Sequence, residues 1–134
     1  MHILIVAAEN NALHGAKIGG LGDVVGEAGP ELVKQGGRVT TIIPSYGFVH
    51  QQNPSEYAAS CNFYFRGFDH RVDIFEAESR HQDDRVRHLV VDHPAFAVPL
   101  VAGSARNLYV HDPPDRPFAT DAGKFALFCT AVAS

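Results

Sequence analysis

Lys17, Gly19, Gly20, Gly22 and Asp23 crowd into one short stretch directly after an apolar N-terminal run. Glycines let a backbone approach a ligand closely, and a lysine beside them adds a positive charge. A helix starting at the same place turns its free N–H groups and positive dipole end toward that point. The chemistry such a junction serves is recognition of a phosphate or diphosphate. It is neither the Gly-x-Gly-x-x-Gly dinucleotide fingerprint nor a Walker A loop, since the lysine precedes the glycines and no Gly-Lys-Ser/Thr follows. Two readings of the glycines stand on residue type alone, a tight turn against a sheet or a phosphate cradle. Lys17 favours the second, because a cation next to clustered N–H groups stabilises a pyrophosphate. Asp23 also reads two ways, as a ligand contact or as a carboxylate complementing the helix dipole.

Other reactive side chains are less organised. The eight histidines show no metal spacing such as His-Glu-x-x-His, so no metal site is expected. His50, His70, His81, His88 and His93 are scattered, and none is assigned a role. Cys61 and Cys129 form no Cys-x-x-Cys pair and are expected to be two buried, reduced thiols.

The elements that must position the glycine stretch follow from periodicity. Residues 3–8 form a continuous apolar run, as in a strand buried on both faces. Residues 9–22 read as a long loop, and 23–35 as a helix carrying Val24, Val25, Ala28, Leu32 and Val33, with Pro30 kinking or dividing it and Gly36-Gly37 ending it. Residues 38–43 form a second buried-type strand closed by Pro44. Strand, glycine loop, helix and strand make a βαβ unit with a right-handed crossover. Three shorter strands are expected at 61–65, 71–77 and 86–91, as an antiparallel or mixed extension of the sheet. Gly67-Phe68-Asp69 should form one turn, and the mixed-charge run 80–85 a solvated tip. Residues 93–120 are proline-rich and loop-like, including His111-Asp112, with a short strand at 108–110. Thr120-Asp121 should cap a final helix over 122–133. The fold class is therefore α/β, a Rossmann-like three-layer parallel sheet with a hairpin extension.

At 134 residues the chain is one domain's worth, with 46% hydrophobic residues and a formal charge of −4. That balance offers no nucleic-acid surface, so a bound phosphate must be held locally. No apolar segment approaches the ~20 residues of a membrane span, and residues 1–9 lack the basic start of a signal peptide. A cytoplasmic location is the expectation.

The stretch Lys17-Ile18-Gly19-Gly20-Leu21-Gly22-Asp23-Val24-Val25 resembles the Lys-x-Gly-Gly-Leu-(Gly/Ala)-Asp-Val-Val signature of bacterial glycogen synthases and plant starch synthases. Glu9 resembles the Ser-Glu that ends the family's first strand. Pro30-Glu31-Leu32, Gly37-Arg38-Val39 and Pro44-Ser45-Tyr46-Gly47 match in register, and 121–132 resembles the family's Arg-Phe-Ala-Leu-Phe helix. The resemblance implies the N-terminal lobe of a two-lobed GT-B glucosyltransferase. Such an enzyme moves glucose from ADP-glucose or UDP-glucose to the non-reducing end of an α-1,4-glucan, with retention and without a metal or other cofactor. Lys17 would then contact the donor phosphates, Gly19, Gly20 and Gly22 would bring backbone close to it, and Asp23 would open the helix. Phe118 and Lys124 depart from the family's Tyr and Arg at the matching positions, which bears on acceptor contacts.

The family's His-Asp-Trp-His region and C-terminal-lobe cations would lie beyond residue 134, so residues 1–134 are read as an N-terminal lobe incomplete at its C-terminus and inactive alone. A glucan- or partner-binding module is the alternative. A dinucleotide-binding domain fits poorly, since Ile43-Pro44-Ser45 stands where an acidic residue should follow the second strand.

Overall fold

A computed structural model describes residues 1–97, 108–110 and 112–134. In chain order the elements are β1 (His2–Val6), α1 (Gly20–Lys34), β2 (Arg38–Pro44), α2 (Val49–Gln52), β3 (Ser55–Phe65), β4 (Phe68–Ala77), β5 (Arg87–Asp92), a 3₁₀ turn (Pro94–Phe96) and α3 (Ala119–Ala133). They build one five-stranded sheet in the order β1-β2-β5-β4-β3. The β1-β2-β5 half is parallel, with Ile3 opposite Val39 and Ile43 opposite Val90. β4 and β3 add to β5 antiparallel, as the hairpin extension expected from sequence.

Adjacent strand residues point to opposite faces, so the doublets Ile42-Ile43 and Val90-Val91 serve two cores. Ile43 and Val90 pack with Leu13, Ala16, Tyr46, Phe48 and Leu108 on one face. Ile42 and Val91 pack with Phe63, Val72, Phe96, Leu127 and Phe128 of α3 on the other. Each fully buried side chain of this kind contributes about 1.5–3 kcal/mol. The result is three layers: α1 with the 9–19 loop, the sheet, and α3.

α1 runs unbroken through Pro30, and begins at Gly20 rather than at residue 23. The proline sacrifices one ladder hydrogen bond, while the buried face of Gly22, Val25, Gly26 and Gly29 keeps the helix docked. That face is glycine-rich because space is short. A Cβ on Gly26 would overlap Asn11 Oδ1, and one on Gly29 would stand 2.9 Å from Val86 Cγ2. The helix stops where Gly36 takes φ +90°. Its N–H then bonds Val33 O and that of Gly37 bonds Leu32 O, the Schellman pattern.

Several expectations are corrected. β1 is an edge strand, not one buried on both faces: Leu4 is 51% and Val6 44% exposed. Among the described residues β1 pairs only with β2, and α3 lies over the β5-β4-β3 half of that face. Cys61 is half-buried and Cys129 exposed, because Cys129 falls on the solvent side of α3. The β3-β4 turn is Arg66-Gly67, both at positive φ (49° and 87°), a two-residue hairpin turn whose twist suits the strands. Residues 108–110 are a bend, not a strand, pulled out of any ladder by α3 side chains. Asp112 caps α3 instead of Thr120-Asp121, accepting from Thr120 N at 2.8 Å and Thr120 Oγ1 at 2.6 Å. The 80–85 run is not wholly solvated, since the Asp84 side chain is buried against His88. The loop readings of 98–107 and His111 lie outside the described residues.

The close approach of α1 to residues 11 and 12 yields a stability test. Gly26→Ala should destabilise the fold by about 1–3 kcal/mol through overpacking, despite its better helix propensity. Displacing Asn11 also breaks its bond to Asp23 (2.9 Å). Urea unfolding of the two proteins measures the difference.

Candidate functional site

The C-terminal end of β1 delivers Glu9 beneath the glycine loop, where it is only 3% exposed. A buried carboxylate must be hydrogen-bonded. Its Oε2 accepts from the N–H groups of Ile18 (3.1 Å), Gly19 (3.0 Å) and Gly22 (3.2 Å), and its Oε1 from the Tyr109 hydroxyl (2.6 Å). Burial pushes the Glu9 carboxyl up, but the bond from Tyr109 and then those from Gly19, Ile18 and Gly22 outweigh it and hold the group below its ordinary value.

The loop is fastened from below by polar groups. Asn10 Nδ2 donates to Thr41 Oγ1 at 3.0 Å, and Asn10 Oδ1 accepts from Ala12 N at 3.0 Å. His88 Nδ1 lies 2.7 Å from Thr41 Oγ1 and 3.1 Å from Asn10 Nδ2, while its Nε2 lies 2.7 Å from Asp84 Oδ2. For Asp84 burial again acts upward, and hydrogen bonds led by His88 and Val86 N prevail and keep its carboxyl low. From the β4-β5 connection, Arg80 donates through N to Ala12 O (2.8 Å) and through Nε to Asn11 O (2.6 Å).

The five residues singled out from sequence come together here with different surroundings. Lys17 Nζ reaches Asp23 Oδ1 at 2.8 Å, and Asn11 Nδ2 donates to the same oxygen at 2.9 Å. The Lys17 bond, then that of Asn11, lowers the Asp23 carboxyl. Both side chains of the pair remain about two-fifths exposed (43% and 41%), and solvent screening leaves such pairs weak. A pair this weak leaves the Lys17 ammonium able to exchange its partner at little cost. Gly19 and Gly20 face open space, with nothing within 4 Å of where a Cβ would sit. Gly22 faces inward, its added Cβ falling 2.9 Å from Lys17 Cγ and 3.1 Å from Glu9 Oε2. The first-turn amides of Gly20 and Leu21, which helix geometry leaves without intrahelical partners, belong to exposed residues.

α3 supports the same site at a distance. Lys124 is buried, donates to Leu108 O at 2.7 Å and pairs with Asp121 Oδ1 at 2.7 Å. Both Asp121 oxygens accept from Val110 N (3.2 and 3.1 Å). These bonds fix the 108–110 bend and with it Tyr109. Lys124 stands where the resemblance places an arginine, and it works inside the fold, 5.3 Å from the Tyr46 ring centre and 4.9 Å from that of Phe125. Phe118 is exposed at the start of α3. Among the described residues no three His, Cys, Asp or Glu side chains group to hold a metal ion.

Residues 2–134 match the family described as the starch synthase catalytic domain. The chain belongs to that family. The glycogen synthase of Gloeobacter violaceus is 32% identical over 136 residues, covering 99% of this chain and 24% of the relative. The glycogen synthase of Streptococcus equi subsp. equi is 49% identical over 51 residues, covering 38% of this chain and 10% of the relative. That of Streptococcus uberis is 42% identical over 52 residues, covering 39% of this chain and 10% of the relative. The chain thus spans about a quarter of the length of the Gloeobacter relative. Among the described residues, no helix is long and apolar enough to cross a membrane.

Of the residues that build this starch synthase-type site, the sequence marks Glu9 without a role, offers Asp121 only as a helix cap, and gives no pairing for Tyr109, Asp84 or His88. An acidic residue ending a buried-type strand was a signal for Glu9, since it needs donors. Tyr109 gave none, lying 100 positions from its partner.

The depressed Glu9 carboxyl sets a pH dependence. A group held below its unfolded value adds stability above that value, here 4.5, and loses it as pH falls through the folded one. Wild type should exceed Glu9→Gln in stability at pH 7, and the gap should close below about pH 4.5. Denaturant midpoints across pH 3–7 read this directly; a constant gap would exclude the ionised carboxylate as its source.

Proposed function

We propose that this domain forms one wall of a nucleotide-sugar site, as part of the N-terminal lobe of a two-lobed GT-B glucosyltransferase. In the whole enzyme, glucose would pass with retention from ADP-glucose or UDP-glucose to the non-reducing end of an α-1,4-glucan. One observation carries the reading: the exposed Lys17 ammonium, paired with Asp23 of the first turn of α1, and the open Gly19-Gly20 backbone lie at the same helix start. When the glycosidic bond to the donor phosphate breaks, negative charge grows on the departing nucleoside diphosphate. A cation and oriented amides already in place stabilise that charge more than the ground state, which lowers the barrier. The family membership, and relatives named glycogen synthase, support the same chemistry.

Transfer also requires groups that close over the sugar from the opposite side and exclude water. The described residues supply only the loop side, so this chain by itself is expected to bind donor weakly and to transfer no glucose. The reaction proposed needs no metal or other cofactor from this chain, and its setting is the cytoplasm.

A second reading, a non-catalytic glucan-binding module, draws on Tyr57, Tyr64 and Phe68, aromatic side chains exposed on the β3-β4 hairpin. Such rings offer faces for sugars to stack on. The two readings separate in one set of measurements. Under the donor-site reading, Lys17→Ala should weaken ADP-glucose or UDP-glucose binding by about tenfold or more, the worth of a charge-assisted hydrogen bond. Gly20→Ala should leave the melting temperature unchanged, since its Cβ meets nothing, yet weaken the same binding by crowding the diphosphate. Glycogen co-sedimentation lost in Tyr64→Ala, with both loop variants silent toward nucleotide sugar, would favour the module. Glucose transfer by the isolated chain would refute the one-sided site.

A further inference from the structure

Glu9 sits where a bound phosphate would be expected. Three amides of the glycine loop (Ile18, Gly19 and Gly22) converge on its Oε2 at 3.0–3.2 Å, which is how backbone N–H groups cradle an external oxyanion. The anion here belongs to the protein. Its other oxygen is clamped by Tyr109, whose backbone neighbours Leu108 and Val110 are held by Lys124 and Asp121 of α3. The carboxylate is therefore fixed from two directions.

We propose that Glu9 is a positioning residue for the donor loop, a resident anion that satisfies the inner amides and holds the outer ones in place. With Ile18, Gly19 and Gly22 committed inward, the Gly20 and Leu21 amides and the Lys17 ammonium form the part that meets the donor's diphosphate. Tyr109 transmits the position of α3 to the loop, so the loop's readiness depends on a segment distant in sequence. Gly22 belongs to this device, since a side chain there would strike both Glu9 and Lys17. This inference rests on the donor-site reading for its functional half. Its structural half, ordering of the loop by the carboxylate, is independent of that reading.

The test uses the 134-residue chain and ADP as probe. Amide hydrogen exchange and ADP titration by NMR would be run on wild type, Glu9→Ala, Glu9→Gln and Tyr109→Phe. Tyr109→Phe keeps the three amide bonds and removes only the clamp. It should speed exchange at Ile18, Gly19 and Gly22, and weaken ADP binding about three- to tenfold, the worth of one hydrogen bond. Its melting temperature should fall by a few degrees, the worth of that one hydrogen bond, with the domain still folded. Glu9→Ala should lose ADP binding by about tenfold or more, because a misplaced loop forfeits its alignment. Sodium formate at constant ionic strength should restore part of that loss by occupying the vacated cradle, while leaving wild type unaffected. Glu9→Gln, which keeps an acceptor oxygen, should fall between the two.

ADP binding by Glu9→Ala equal to or tighter than wild type would overturn the proposal, because Glu9 would then merely block a phosphate site. Unchanged exchange at the three amides in Tyr109→Phe would overturn the clamp. If wild type itself ignores ADP, the donor-site reading and the functional half fall together, and the exchange data alone decide the structural half. Should Glu9→Ala fail to fold, Glu9→Gln and Tyr109→Phe carry the same comparisons.

Discussion

One buried negative charge organises this domain. The Glu9 carboxylate is the common acceptor for three amides of the glycine loop and a tyrosine hydroxyl from the far end of the chain. Removing a charge from water is expensive unless hydrogen bonds replace the lost hydration. The loop and Tyr109 supply four. The same requirement constrains the loop's shape, because residues 17–22 must aim three N–H groups at one oxygen. α1 inherits its starting point, and the open faces of Gly19 and Gly20 follow from it.

Around that charge the structure divides support between two layers. Below the loop, the Asn10, Thr41, His88 and Asp84 network ties it to β2 and β5, the parallel centre of the sheet. Beside it, Lys124 and Asp121 fix the 108–110 bend from α3. The exchange of a family arginine for Lys124 is absorbed inside the fold, where a point charge satisfies one carbonyl and one carboxylate. The exposed Lys17–Asp23 pair is built differently. It is weak, solvent-exposed and free to exchange partners, as the proposed donor contact requires.

Much of the framework was legible in the residues. The β-branched runs of β1 and β2, the glycine loop between them and the Gly36-Gly37 stop prescribe a βαβ unit, and the period-2 pattern around Val72 prescribes the extension. What misled was context. The run at 3–6 has the composition of a central strand, yet its place at the sheet edge leaves Leu4 and Val6 half-exposed. Asp84 sits in a run of charges that reads as solvent-facing, but its bond to His88 of β5, four residues on, holds it inside. Thr120-Asp121 has the chemistry of a cap. Asp112 takes that role, and Asp121 turns instead to Val110.

By itself the sequence determined the family, the α/β layering and the cluster of Lys17, Gly19, Gly20, Gly22 and Asp23, because local spacing and residue type suffice for each. Only the tertiary structure decided which amides of that cluster are committed and which are open. That outcome depends on Glu9 and Tyr109 meeting across 100 positions of sequence. A hydrogen bond between residues so far apart leaves no periodic trace in either segment. It exists only once the sheet, the bend at 108–110 and α3 have brought the two side chains within 2.6 Å.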